Sequence, residues 1–327
     1  LQSPPTPDHI CLLFDLQLYG YIDTVQELLF ELASAVVMRL QDGGMEIEYP
    51  DWDEYNANPH RAFRRFCDLI DRRLGSQRLL IMLDEFGILI RKVKAGTLDT
   101  SIFDYLRGVT QHSNKFTFLF TGAYELRRMQ QDFNSILFNM PKVHKISYLT
   151  NGEAQELIEE PIRNMLVYHP LVVPRILRVT AGHPYFIQYI CDELVKLSRK
   201  QETNYVELND LEFVIGGVLR DAAGNIENSI YNYLEESEKL VLAVLAQVTD
   251  EVRVFVPLGD ILNLLQRRHI EISREQVLQA LLALKERDLV SEMRIGQQLR
   301  YSFKMGLTRR WLRQNEILLR IIQERES

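Results

Sequence analysis

The amino-acid sequence predicts an α/β protein that begins with a mainly parallel, doubly wound sheet and continues with an all-helical part and a third unit. Up to about residue 150, short apolar runs alternate with helical patterns, which is typical of βαβ units. Between residues 151 and 236 the pattern is helical only. From residue 237, three helical patterns precede two alternating runs around a glycine, which predicts a hairpin.

Composition indicates an ordinary globular protein, with 46% hydrophobic and 25% charged residues. A length of 327 residues suits two or three domains. No apolar run approaches the ~18 residues needed to cross a bilayer, and no secretory signal pattern is present. The absence of such a run predicts no membrane partner. The cysteines Cys11, Cys67 and Cys191 are widely spaced and odd in number, so we expect reduced thiols and a cytoplasmic location.

Charge is divided unevenly along the chain. Residues 237–327 hold 15 Lys and Arg against 12 Asp and Glu, a net charge of +3, so the rest carries −10 of the total of −7. The acidic first part is therefore not expected to bind nucleic acid. The mildly basic last part leaves DNA binding open there, although we do not favour it.

The central feature of the predicted sheet is an apolar run at 79–83 that leads directly into Asp84 and Glu85. Such a run indicates a strand buried on both faces of a parallel sheet. Parallel sheets bind ligands at their carboxyl edge, so we expect these carboxylates to lie in a crevice. The alternative is that they only cap the following element.

Three further strands are predicted at 10–15, 116–122 and 143–149. Thr150 with Glu153 and Ser273 with Gln276 fit capping boxes that open helices at 154–162 and 273–287. Apolar residues at helical spacing predict helices at 24–40, 61–74 and 102–109. Two connections are predicted to be loops. One carries Trp52 and Tyr55, and the other contains Lys92, Lys94 and Gly96.

The 79–85 segment resembles the Walker B motif of P-loop nucleotidases, and of AAA+ ATPases in particular. The resemblance implies that Asp84 holds a magnesium ion and that Glu85 polarises the water that attacks the γ-phosphate. Thr121, at the tip of the next strand, resembles the sensor 1 position, which contacts the γ-phosphate or that water. A simple Thr-Gly turn with Gly122 is the alternative explanation for Thr121.

The tripeptide Gly182-His183-Pro184 falls between two predicted helices. Capping rules alone could explain it, since glycine suits a helix end and proline a first turn. It also looks like the GxP motif of STAND ATPases, a branch related to AAA+ proteins. That resemblance implies that Pro184 packs against adenine, that this turn binds the cofactor, and that Arg178 and Arg175 could reach phosphate. His183 is expected to start a helix rather than to act as a base.

The last part has helical patterns at 237–248, 258–268 and 273–287, followed by runs at 289–295 and 298–303. This is the element order of a winged helix-turn-helix. The predicted domains are accordingly a nucleotide-binding α/β domain at 1–150, a helical lid at 151–236, and a winged helix with a C-terminal helix at 237–327.

One family element is missing from the sequence. A P-loop needs GxxxxGK[ST], and none of the 16 glycines is followed by lysine. We therefore expect an incomplete P-loop NTPase-like sheet that lacks the first strand and the P-loop. The missing segment would lie upstream in a longer chain, in a disordered piece or on another chain, and its absence would expose two apolar sheet edges.

The resemblance as a whole is to STAND-type, NACHT- and NLR-like switches. It implies ATP or ADP and Mg²⁺ as cofactors, slow hydrolysis, and neighbouring domains of a longer chain or further copies of the protein as partners. Arg127 and Arg128 could then act in trans. Two alternatives stay open: a P-loop-less pseudo-ATPase scaffold, and an AAA+ ATPase with a DNA-binding winged helix, like origin-recognition or transposition-helper ATPases. The expected phosphate contacts in the DNA alternative are Arg274, Lys285, Arg287, Arg294 and Arg300.

Overall fold

A computed structural model describes residues 9–113, 115–122, 144–221, 226–227, 230–249 and 254–326. The chain divides into two compact units, Leu1–His144 and Lys145–Ser327. Each unit has its own core of buried apolar side chains. None of the helices within the described ranges is long and apolar enough to cross a membrane.

The first unit is built on a parallel sheet of three strands. They are β1 (His9–Asp15), β2 (Arg78–Asp84) and β3 (Phe116–Phe120), with β2 in the middle. Leu79, Ile81 and Leu83 of β2 are buried, whereas the side chains between them are partly exposed. The three strands confirm the predicted parallel α/β arrangement, although only one face of β2 is fully covered.

Helices pack around this sheet: α1 (Val25–Asp42), α2 (Trp52–Ala57), α3 (Pro59–Arg73), α4 (Gly87–Lys94) and α5 (Ser101–His112). Two of them correct the sequence prediction. Helix α2 lies within the predicted surface loop because Tyr55 is buried, with its ring 5.6 Å from that of Phe30. Helix α4 replaces the predicted loop around Lys92 because Leu89, Ile90 and Val93 form a buried apolar stripe.

The strand predicted at 143–149 is wrong within the described residues 144–149. Residues 145–149 belong to the second unit, and they form hydrogen bonds within that unit rather than with a strand of the first. Leu149 donates its backbone N–H to the Gly182 carbonyl at 3.0 Å, and Ser147 donates its hydroxyl to Asp288. In the described part of the chain, β3 therefore has β2 as its one strand neighbour. Leu119 of β3 is 45% exposed.

The second unit begins with helices α6 (Asn151–Glu159), α7 (Val172–Thr180), α8 (Pro184–Gln201) and α9 (Leu208–Asp221). Thr150 and Glu153 form the predicted capping box that opens α6. Two short strands that the sequence did not predict, β4 (Val167–Tyr168) and β5 (Tyr205–Val206), pair in parallel. This segment is otherwise helical, as expected.

The remaining elements are α10 (Glu236–Val248), β6 (Val256–Pro257), α11 (Leu258–Arg267), α12 (Arg274–Glu286), β7 (Val290–Ile295), β8 (Gln298–Phe303), α13 (Gly306–Gln314) and α14 (Ile317–Glu326). Strands β6, β8 and β7 form an antiparallel sheet in that order. The pair Ile295 and Gln298 closes the predicted two-residue hairpin loop, and Gly296 has the positive φ of +60° that such a turn requires. The predicted order of three helices and a hairpin is therefore found.

Candidate functional site

The carboxyl ends of the three parallel strands meet at one edge of the sheet. Asp15, the last residue of β1, is paired in register with Asp84, the last residue of β2. Pairing between β2 and β3 continues beyond the strands. Thr121 donates its N–H to the Leu83 carbonyl at 3.0 Å, and its own carbonyl accepts from the Phe86 N–H at 2.9 Å. The backbone thus holds Thr121 directly beside Asp84.

A hydrogen-bonded cluster surrounds the Asp84 carboxylate. The Thr121 hydroxyl donates to Oδ1 of Asp84, and the Glu85 N–H donates to the same oxygen at 2.9 Å. Oδ2 accepts no hydrogen bond from the described residues. One oxygen therefore fixes the orientation of the carboxylate and the other is left for a cation or a water.

Glu85 has a backbone conformation that side chains seldom adopt. Its φ is +51°, in the left-handed region. That region costs a residue other than glycine about 1–2 kcal/mol, and such strain concentrates at functional sites. Helix α4 begins at Gly87 after an N-cap, Phe86, that makes no side-chain hydrogen bond. Among the described residues, neither carboxylate accepts a hydrogen bond from an amide of α4, so side-chain capping of α4 does not account for this pair.

Lys92 is a supporting residue that the sequence did not single out. It lies on α4, one element beyond Glu85, and its side chain is 17% exposed. Its ammonium group donates to the Gly20 carbonyl at 2.8 Å and to Asp23 at 2.7 Å. The loop after β1 is thereby tied to the helix that follows Glu85. A prediction of α4 as a helix would have indicated this contact, because the direction of a lysine side chain can be predicted on a helix but not in a loop.

The Gly182-His183-Pro184 turn lies in the second unit, between α7 and α8. Ala181 caps α7 in the left-handed conformation, Gly182 follows at φ +86°, and Pro184 opens α8. The capping roles predicted for Gly182 and Pro184 are confirmed. Gly182 is also required by close packing, because a Cβ there would lie 2.4 Å from the Leu149 carbonyl oxygen.

His183 is the N-cap of α8, as predicted. Its ring lies between those of Tyr148 and Phe186, at centroid distances of 5.0 and 4.9 Å. Burial lowers the pKa of His183 below its ordinary value, so the imidazole is neutral at pH 7. Within the described residues, its buried Nδ1 has no hydrogen-bond partner.

The predicted arginines differ in their surroundings. Arg175 of α7 forms an ion pair with Glu212 at 2.7 Å, and Glu212 also binds Arg310 at 3.2 Å. Arg175 is therefore engaged within the second unit rather than directed to a ligand. Arg178 lies on the same helix. Arg127 and Arg128 lie outside the described residues.

The structure thus brings Asp84, Glu85 and Thr121 together at the sheet edge of the first unit, whereas Arg178 and the 182–184 turn belong to the second. The described residues hold no group of three or more His, Cys, Asp or Glu side chains suited to a metal. Mg²⁺ at nucleotide sites takes one or two carboxylates and completes its shell with phosphates and water. Asp84, with Oδ2 open, fits that requirement.

No protein-family model matches the sequence, and no curated protein is significantly similar to it. Among solved structures, the chain is similar to the ORC2 protein of Aeropyrum pernix, solved as ADPNP–ADP complexes. The TM-score is 0.60 at 13% identity, over 97% of this chain and 79% of that one. The likeness shows that the two chains share a fold.

Two further solved structures match the chain at lower TM-scores. The Aeropyrum pernix ORC1 protein in complex with DNA gives 0.43 at 14% identity, over 96% of this chain and 79% of that one. Cdc6p from Pyrobaculum aerophilum gives 0.42 at 12% identity, over 97% and 81%.

Proposed function

We propose that this chain is the core of an ATP-binding, slowly hydrolysing molecular switch of the STAND type. The observation that carries the proposal is the cluster at the sheet edge. The Thr121 hydroxyl and the Glu85 amide both hold Oδ1 of Asp84 at the end of the central strand, and Oδ2 accepts no hydrogen bond from the described residues. Parallel α/β sheets bind nucleotides at that edge.

Each residue of the cluster has a distinct role in the proposal. Asp84 would hold Mg²⁺, which when bound neutralises charge on the β- and γ-phosphates. Glu85 orients and polarises a water at the carboxylate next to Asp84. Thr121 keeps Asp84 in one orientation through its hydroxyl and can exchange that bond for one to phosphate or water. The strained φ of Glu85 supports its catalytic role.

The proposal assigns the second unit to the control of nucleotide state. Pro184 and His183 contact adenine, with Gly182 shaping the turn and Arg178 near phosphate. The lid spans 151–236 and the winged helix spans 237–327, after a nucleotide-binding domain at 1–150. A segment outside this sequence would supply the P-loop. Assembly with further copies or neighbouring domains is the output. A bound nucleotide shifts the populations of the two states of such a switch when it binds one of them more tightly.

Magnesium-dependent nucleotide binding tests the proposal. We expect the natural full-length protein to bind ATP and ADP in calorimetry, and Asp84→Ala to weaken the magnesium-dependent part at least about tenfold, or about 1.4 kcal/mol. Asp53→Ala, which removes an exposed carboxylate on α2, is the matched control and should bind like the native protein. Absence of binding in the native protein would favour the pseudo-ATPase scaffold. Equal binding by native protein and Asp84→Ala would mean that Asp84 does not hold the magnesium ion.

A second candidate is an AAA+ ATPase whose last domain binds DNA. The helix and hairpin order of residues 236–303 and the net charge of +3 over 237–327 support it. Two of the expected phosphate contacts are engaged elsewhere, however. Lys285 binds Glu292 at 2.6 Å, and Arg287 pairs with Glu238 at 3.4 Å. Their charge is largely neutralised, so we favour a protein-packing role for this domain.

Salt dependence separates the two candidates. A protein that contacts six to ten phosphates loses about 10³–10⁵ in affinity between 50 and 200 mM salt. We expect only weak duplex binding with a shallow salt slope, measured by fluorescence anisotropy, and no loss on replacing both Arg294 and Arg300 by glutamine. Arg313→Gln, an exposed site on α13, is the control. A steep slope that the double variant flattens would instead establish the DNA-binding alternative.

A further inference from the structure

The first residues of the second unit, 145–149, form a segment that we call the strap. Its carboxyl end is bound to the 182–184 turn: the Leu149 N–H donates to the Gly182 carbonyl at 3.0 Å, and the Tyr148 ring lies 5.0 Å from that of His183. Its amino end is bound to the end of α12, where Lys145 donates to the Glu286 carbonyl at 2.7 Å. The strap thus connects the turn with the last part of the chain.

Asp288 is the centre of the attachment at the amino end. This carboxylate accepts from the Ser147 hydroxyl at 2.9 Å, pairs with Lys145 at 2.9 Å and accepts from Lys304 at 2.7 Å. The Lys304 ammonium also lies 4.6 Å from the centre of the Tyr148 ring, a cation–π contact. Two of the three donors to Asp288 therefore belong to the strap and the third follows β8.

The attachment at this end is polar rather than part of the core. Residues 144–147 are exposed, and Ile146 is 96% exposed, so the amino half of the strap buries little apolar surface. Asp288 itself is only 17% exposed. Burial alone would raise its pKa, but the hydrogen bonds from Lys304, Lys145 and Ser147 outweigh burial and hold the pKa below its ordinary value. The amino half of the strap, 145–147, can therefore detach without opening the core, whereas Leu149 packs against the core.

We propose that the amino half of the strap is a releasable latch, closed by Asp288 and Lys304, that sets where the second unit begins to hold the chain. When the latch is closed, the second unit holds the chain from Lys145 onward. When it opens, the three residues 145–147 are released from the second unit. At 3.3–3.6 Å per extended residue, they free roughly 10 Å of chain. Because the strap ends on the Gly182 carbonyl, a change at the 182–184 turn reaches the latch directly.

Trypsin cleavage after Lys145 in the full chain tests the latch, because the protease needs Lys145 to leave Asp288. Asp288→Asn is the first variant, since asparagine tolerates the left-handed φ of +60° at this position. Lys304→Met is the second. We expect both to form the fragment that begins at Ile146 at least tenfold faster than the native protein, as measured by mass spectrometry. Asp192→Asn, which removes an exposed partner of Lys196 in the same unit, should cleave at the native rate.

Hydrogen exchange distinguishes a latch from general loosening. Opening should leave exchange unchanged in Asp288→Asn both at Leu149, whose N–H binds the Gly182 carbonyl, and in the buried helix α10. Unchanged cleavage in both variants, or equal acceleration of exchange in α10, would overturn the proposal.

An effect of bound nucleotide on opening of the latch rests on the proposed function and is measured separately. Mg²⁺ with ATP or ADP is expected to change the cleavage rate in the native protein at least threefold and not in Asp288→Asn. If nucleotide changes neither rate while Asp288→Asn still accelerates cleavage, the latch stands and its coupling to nucleotide fails.

Discussion

Replacing Glu85 by glutamine is expected to slow ATP hydrolysis by the full-length protein at least about a hundredfold, with little change in nucleotide affinity. Glutamine has the shape of glutamate and leaves the Glu85 backbone free to keep its φ of +51° and its N–H bond to Asp84. It cannot polarise a water as a carboxylate does. Single-turnover release of phosphate, measured beside calorimetric binding of ATP, separates the chemical step from affinity.

The matched control is Glu54→Gln, because Glu54 is an exposed carboxylate of the same unit that pairs only with Arg65 at 3.1 Å among the described residues. It should bind and hydrolyse like the native protein. Equal hydrolysis by native protein and Glu85→Gln would mean that another group polarises the water. The strain at Glu85 would then need a different explanation.

Local signals predicted much of the fold correctly. The short apolar runs identified β1, β2 and β3 because buried parallel strands need nearly continuous hydrophobic sequence. The capping boxes at Thr150–Glu153 and Ser273–Gln276 located two helix starts because both partners of such a box lie within one turn. These features depend on residues close together in the sequence.

The part of the candidate site that follows from the parallel sheet could be predicted from the sequence. Once β2 and β3 are neighbours, Thr121 must follow its strand at the same edge as Asp84. The left-handed backbone of Glu85 and the contact of Lys92 with Asp23 could not be inferred in this way. Both depend on how α4 packs, and the sequence had suggested a loop there.

Contacts between residues far apart in sequence explain the clearest error. The sequence predicted a strand at 143–149, yet the partner of Ser147 is Asp288, 141 residues away. No periodicity within the segment indicates a partner at that distance. The same limit applies to Gly182, whose capping role was evident whereas its approach to Leu149 was not.

Gly182→Ala is expected to reduce the free energy of unfolding of the second unit by about 2–4 kcal/mol. Two costs combine. The left-handed φ of +86° costs alanine about 1 kcal/mol, and a Cβ 2.4 Å from the Leu149 carbonyl oxygen forces a backbone shift of the kind that costs about 1–3 kcal/mol. The Leu149 N–H is itself bound to the Gly182 carbonyl, so this contact resists the shift. Calorimetric melting should show a Tm lower by roughly 4–16 °C for a unit of this size.

Gly296→Ala measures the first of these costs, that of the left-handed φ, without the second. Gly296 lies in the same unit and also has a positive φ, +60°, but its Cβ would meet no atom within 4 Å. It should lose only about 1 kcal/mol, the conformational cost alone. If the two variants lost equal stability, the Leu149 contact would yield easily and capping alone would account for Gly182. A larger loss in Gly182→Ala means that packing against the strap already requires this glycine. Any nucleotide role of the 182–184 turn must then be tested at His183 and Pro184.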